Sequence, residues 1–169
     1  MTTLRSQNIR AIAVELIGEV GVIHAENVVR ETVNQILASG VLLQNGFRIG
    51  RARPRITFRW QAGKSTGGSV GMNFALLAHA MKPETNALFK EYKAFADHPM
   101  IGNFCGSRDD GLRVLAAHEF AHWLQRSPRI KRPPGDYRKP HGAGFQKTYW
   151  LLRHHLGLRS QSPAMEVAP

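Results

Sequence analysis

From Leu4 to Ala38 apolar residues recur at helical intervals: Ile9, Ile12, Ala13, Leu16, Ile17 and Val20, then Val28, Val29, Val33, Ile36 and Leu37. This predicts helix, with a bend where Gly18 and Gly21 interrupt the pattern and a stop at Ser39-Gly40. The pattern then changes to alternation. In Arg53–Trp60, Ile56, Phe58 and Trp60 share one face and Arg55, Thr57 and Arg59 the other, as in a half-buried strand. Gly63–Gly68 reads as a turn and Ser69–Phe74 as a returning strand, which predicts a small antiparallel sheet. Residues 75–97 read as helical pieces restarting at Lys82-Pro83-Glu84, with Leu88, Phe89, Tyr92 and Phe95 as a core stripe rather than part of a site. A loop follows from His98 to Arg108.

Short polar side chains at Ser107–Asp110 open a long helix that runs to about Gln125. Ser127–Pro140 carries the prolines and basic residues of a loop, and His141–Leu156 is helical again, with Phe145, Tyr149, Leu152 and Leu156 along one side. The order of elements predicts an α+β fold in one domain, residues 1–158, with 159–169 as a mobile tail. A length of 169 residues and 43% hydrophobic content suffice for one core of ordinary size.

Charge adds a second pattern. The chain carries +11, and the excess sits in two blocks: residues 46–64 net +6 and residues 123–169 net +7, while the other two stretches each net −1. Two such blocks form a patch for polyanions if they meet on one face. A single cysteine, Cys105, excludes an internal disulfide and a cysteine-rich zinc module, and no apolar signal core follows the N-terminus. These features predict a reducing, intracellular setting, that of a cytoplasmic protein with no membrane association. Gly63-Lys64-Ser65 does not make a phosphate loop, because the glycine required five positions earlier is Phe58.

The chemistry concentrates in His118-Glu119-Phe120-Ala121-His122. Residues four apart stack on one helix face, so both imidazoles can aim at one ion while Glu119 reaches a water beside it. Zinc suits neutral imidazole nitrogens and, with three protein ligands, keeps one position open. Leu112, Leu115, Ala116, Phe120 and Trp123 surround the motif at helical spacing and should anchor the helix in the core.

A third ligand defines the subtype. The extended pattern, with glycine three and histidine six residues after the second His, is absent, since Gln125 and Pro128 stand there. The remaining candidates are His141, Asp136, Glu166 and the pair His154-His155. His141 is favoured, because Glu166 lies in the tail and His154-His155 lie far along the last helix. The motif followed by His141-Gly142-x-x-Phe145 resembles the SprT-like zinc metalloproteases, the group that includes Spartan, which cuts proteins crosslinked to DNA. The element order over residues 6–157 is similar to theirs.

The resemblance implies a zincin-like fold in which an N-terminal helix and a small antiparallel sheet precede the metal helix and a helix carrying the third His. It also implies one zinc ion held by His118, His122 and His141, with Glu119 as general base for peptide-bond hydrolysis. Many relatives carry a Cys-rich zinc ribbon or an added DNA-binding domain, and this chain has neither. A basic groove of Arg53, Arg55, Arg59, Arg129, Lys131, Arg132, Arg138 and Lys139 would substitute, placing the enzyme on DNA-associated proteins. The alternative is a catalytically silent zincin-like domain that binds nucleic acid or protein. Oligomeric state is not legible in the sequence.

Overall fold

In a computed structural model the chain is described over residues 4–59, 67–73 and 87–158, with side chains at 10–58, 67–72 and 89–158. Trp60, the turn at 63–66, Phe74, the expected helix start at Lys82-Pro83-Glu84 and the tail with Glu166 lie outside the described residues.

Helix α1 covers Leu4–Ala38 and breaks at Gly18, whose φ of 74° and ψ of 161° are non-helical and open only to glycine. Beyond the break the expected Val28, Val29, Val33 and Ile36 are buried, joined by Val22 and Ala25, which the stripe did not include. Before the break Ile12 and Leu16, and just after it Val20, are exposed although their spacing matched the apolar stripe. The change of direction at Gly18 takes the two halves out of phase, so one periodic stripe cannot face one core. Gly40, in the left-handed region, turns the chain into the short helix α2, Val41–Gln44.

Strand β1, Arg55–Arg59, pairs with β2, Ser69–Asn73, in parallel, with Arg55 opposite Ser69 and Arg59 opposite Asn73. The expected antiparallel hairpin is therefore corrected. The connection, residues 60–68, is longer than the two to five residues of a hairpin, and Gly67-Gly68 lead into β2 instead of folding it back on β1. A second pair, β3 (Ala87–Phe89) and β4 (Phe104–Gly106), is antiparallel. Neither strand was predicted. Leu88 and Phe89 belong to β3, Tyr92 to the extended link after it, and Phe95 to a 3-10 turn, Lys93–Phe95, so their apparent helical spacing does not come from a helix.

Helix α3, Arg108–Arg126, is the central element. Ser107 caps it by accepting from the Asp110 amide at 3.1 Å, and Asp109 and Asp110 complement the positive end of its dipole. Thirteen of its 19 residues are buried, the mark of an element covered on several sides. It packs against α1, β2, β3, β4 and α4, the last helix, Ala143–His155. Phe145, Tyr149 and Leu152 of α4 and Leu156 just after it are buried, as the sequence pattern predicts. The buried apolar side chains form one cluster around α3, consistent with an α+β arrangement. Among the described residues no helix is long and apolar enough to cross a membrane.

Candidate metal centre

His118 and His122 stand one turn apart on α3, and His141 sits two residues before α4. One nitrogen from each lies within 4.8 Å of the others. A tetrahedral zinc with bonds of about 2.0–2.1 Å separates its ligand nitrogens by roughly 3.3 Å, so the three imidazoles are close to the spacing such an ion requires. The nearest pair, Nε2 of His122 and Nε2 of His141, is 3.0 Å apart. Two ring nitrogens approach that closely only with a proton or a cation between them.

The tautomer of His122 follows from its neighbour. Gln125 donates through Nε2 to the carbonyls of Tyr137 at 2.9 Å and Lys139 at 2.6 Å. Its Oε1 is therefore the atom facing His122 Nδ1, at 3.3 Å, and the imidazole must donate to it. The lone pair of His122 is left on Nε2, the nitrogen turned towards His141. One side chain thus orients a candidate ligand and ties down the loop that leads to another.

The loop is fixed elsewhere as well. Arg132 donates to the carbonyls of Leu124 and Ser127, and the Gly144 amide donates to the Asp136 carbonyl at 3.0 Å. Gly144 has to be glycine here: a Cβ would lie 2.4 Å from that carbonyl oxygen. Gln146 adds a further tie, donating to the His141 carbonyl at 3.0 Å.

Aromatic rings wall the cluster. Phe145 stacks on His122 with centroids 4.3 Å apart and meets His118 and His141 edge-on. Tyr92, half exposed, stacks on His141 at 4.3 Å, and Phe95 lies 5.8 Å from the same ring. Tyr92 and Phe95 are therefore part of the site's wall, which corrects their assignment to ordinary core packing.

Burial and neighbouring charge set the protonation of the three rings. His122 is lowered to about 3, first by burial and then by His118 and His141, and His141 is lowered to about 4, again chiefly by burial. Both are thus neutral, as metal ligands must be. For His118 burial also opposes charge, but the Glu91 and Glu119 carboxylates outweigh it and raise its pKa. Glu119 is itself buried beside the cluster.

Glu91 was not anticipated. It belongs to the link after β3, its side chain is fully buried, and its Oε2 lies 3.3 Å from His118 Nδ1. Its other oxygen accepts a short hydrogen bond from the Tyr149 hydroxyl. Tyr149 is thereby turned inwards, and Tyr137 packs edge-on against Phe47 and under Arg132. Beside Gln125 opens a cleft of about 510 Å³, lined by Arg132, Gly135, Asp136, Tyr137 and Arg138.

The other candidate residues divide. Asp136 is exposed and ion-paired with Arg138, which holds its carboxyl down at about 2, and it is outside the three-histidine cluster. His154 and His155 close α4, also outside it. Of the eight basic residues, Arg132 is spent on loop carbonyls and Arg138 on Asp136. Arg53 donates to the carbonyls of Gly50 and Ala52. Arg53, Arg55, Arg129, Lys131 and Lys139 are exposed, and the Arg59 side chain lies outside the described residues. The backbone bridge between Arg48 and Lys131 does bring the two basic blocks together at one point. No family model, curated protein or solved structure matches this chain.

Proposed function

We propose that the chain is a zinc-dependent peptidase of the SprT-like, zincin-like kind. The observation that supports this is the convergence of His118, His122 and His141, two from one helix face and one from a loop 19 residues on, with ligand nitrogens within 4.8 Å. The donor set fits zinc: three imidazoles, two of them held neutral by burial, with His122 fixed in the tautomer that offers Nε2 to the cluster.

The chemistry supplied by a zinc ion when bound there is Lewis acidity towards a carbonyl oxygen and a water molecule. The remaining tasks fall to the chain. Glu119, one position after His118, accepts a proton from the attacking water on its carboxylate and delivers it to the leaving amide nitrogen. Phe145 and the buried face of α3 exclude bulk water from one side of the cluster, and exposed Tyr92 forms its rim. No covalent intermediate with the protein is needed.

The test is metal content and hydrolysis of a denatured protein, measured on wild type and Glu119→Gln. Wild type should hold one zinc and cleave; the variant should hold zinc and not cleave. Cleavage retained in Glu119→Gln would refute the assignment. Action on DNA-associated proteins is the second part of the proposal, supported by the Arg48–Lys131 contact between the basic blocks. It now rests chiefly on exposed Arg55, Arg129, Lys131 and Lys139, because Arg132 and Arg53 donate to backbone carbonyls and Arg138 is paired with Asp136.

A further inference from the structure

Glu91 is a fully buried carboxylate that the hydrolytic scheme leaves unused. An isolated ionised carboxylate is costly to bury, so its partners reveal what it is for. A structural purpose would be neutralisation by Arg153, the one buried arginine among the described residues, which is entirely inaccessible. Arg153, however, directs Nε to the Leu158 carbonyl at 2.9 Å and Nη1 to the Gly102 carbonyl at 2.7 Å, and stacks its guanidinium over the Tyr149 ring. The groups addressed to the Glu91 carboxylate are the Tyr149 hydroxyl on Oε1, and the Tyr92 amide at 3.2 Å and His118 Nδ1 at 3.3 Å on Oε2.

His118 completes the relation. Its Nδ1 is inaccessible to solvent, and the approach to Glu91 is too oblique to count as a full hydrogen bond, yet no other acceptor among the described residues reaches it. The proton on that nitrogen therefore has only Glu91 to face, and Nε2 is left with the lone pair. Glu91 is itself held in place from both ends: its amide donates to Asn103 Oδ1 at 2.8 Å, and Tyr149 fixes the far oxygen. The two helix-borne imidazoles thus have different supports, a neutral amide behind His122 and a carboxylate behind His118. Three neutral imidazoles leave a divalent ion's charge uncompensated, and Glu91 together with Glu119 supplies two negative charges against it.

We infer that Glu91, braced by Tyr149, is a positioning residue for metal binding: it fixes the tautomer and orientation of His118 and offsets the charge of the ion. This rests on the three-histidine metal assignment above. Carboxylates placed behind a ligating imidazole are generally worth 10- to 100-fold in metal affinity.

The experiment is zinc affinity by chelator competition, together with the visible spectrum of the Co²⁺-substituted chain, for wild type, Glu91→Gln and Tyr149→Phe. Thermal unfolding of each metal-free chain runs alongside. Glu91→Gln should still take one zinc, with affinity reduced about 10- to 100-fold and the Co²⁺ bands shifted in energy or intensity. Tyr149→Phe should weaken zinc in the same direction by a smaller factor, and it carries the test if Glu91→Gln does not fold. Unchanged affinity and Co²⁺ spectrum in a folded Glu91→Gln, or in Tyr149→Phe where only that variant folds, would make Glu91 merely structural and overturn the inference. Wild type that binds neither Zn²⁺ nor Co²⁺ would instead overturn the metal assignment, and this role for Glu91 with it.

Discussion

Replacing Gln125 by Met keeps the length and much of the volume of the side chain while deleting every polar contact it makes. Lost are two donations that hold the loop, to the Tyr137 and Lys139 carbonyls, and the acceptor that orients His122. Each loop bond has a net worth of about 0.5–1.5 kcal/mol. The Lys139 residue is exposed, so water can replace part of what its carbonyl loses, and the expected loss is about 2 kcal/mol in the metal-free chain. For a chain of this size that is a fall of roughly 4–8 °C in the melting midpoint. In the zinc-loaded chain the fall should be larger. Freeing both His122 and the loop before His141 should weaken zinc about 10-fold or more, which adds about 1.4 kcal/mol when the metal is in excess. Thermal unfolding with zinc and with chelator, on wild type and Gln125→Met, measures both quantities. A variant whose midpoint and zinc affinity both match wild type would refute the claim that Gln125 couples helix to loop. An equal loss with and without zinc would show that it holds the loop but not the ligands.

Other outcomes follow from the same geometry. His141→Ala should reduce bound zinc well below one per chain by metal analysis, and Asp136→Ala should leave it at one; the reverse pattern would assign the third ligand to Asp136. Gly144→Ala should destabilise by about 2–4 kcal/mol in denaturant unfolding, because its Cβ would sit 2.4 Å from a backbone oxygen that cannot rotate away. Glu119→Gln should lower hydrolysis by about 10²- to 10⁴-fold with zinc retained. In the metal-free chain, His122 and His141 have folded pKa values of about 3 and about 4, below the unfolded value of roughly 6.5. The unfolded state therefore binds more protons, and stability should fall as pH drops from about 6.5 towards 4; His118, whose pKa is raised, acts above that window, where its contribution is lost as pH rises. A denaturant midpoint that is level or rises over that window would contradict the burial of the pair. If the exposed basic residues contact DNA, affinity should drop steeply between low and physiological salt, by a filter or anisotropy assay.

Helix α3 and its histidine pair were readable from the sequence because their signals are local. A serine cap, acidic first-turn residues and a four-residue ligand spacing each act within one or two turns, and the structure keeps all of them. Helix α4 was equally plain, since Phe145, Tyr149 and Leu152 repeat on one face. What could not be read depends on distant pairing. β3 and β4 have three residues each, too few to show alternation, and each exists only through the other. The direction of β2 relative to β1 is set by tertiary packing, and a glycine-rich linker serves parallel and antiparallel pairing alike. Glu91 lies 27 positions before the histidine it faces, with no local spacing to connect them. Gln125 drew notice only as the residue occupying the extended motif's glycine position, yet that side chain is what aligns His122 with the loop.

The two ties on the loop after α3 also mark where it can vary. Arg132 secures its first part and Gln125 its last, while Pro134 and Gly135 between them are exposed. Lengthening a flexible surface loop costs only about 0.6 kcal/mol per doubling. Foreign sequence spliced between Pro134 and Gly135 would overhang the adjoining cleft, making this the natural place to graft an added segment while leaving both ties to the histidine loop in place.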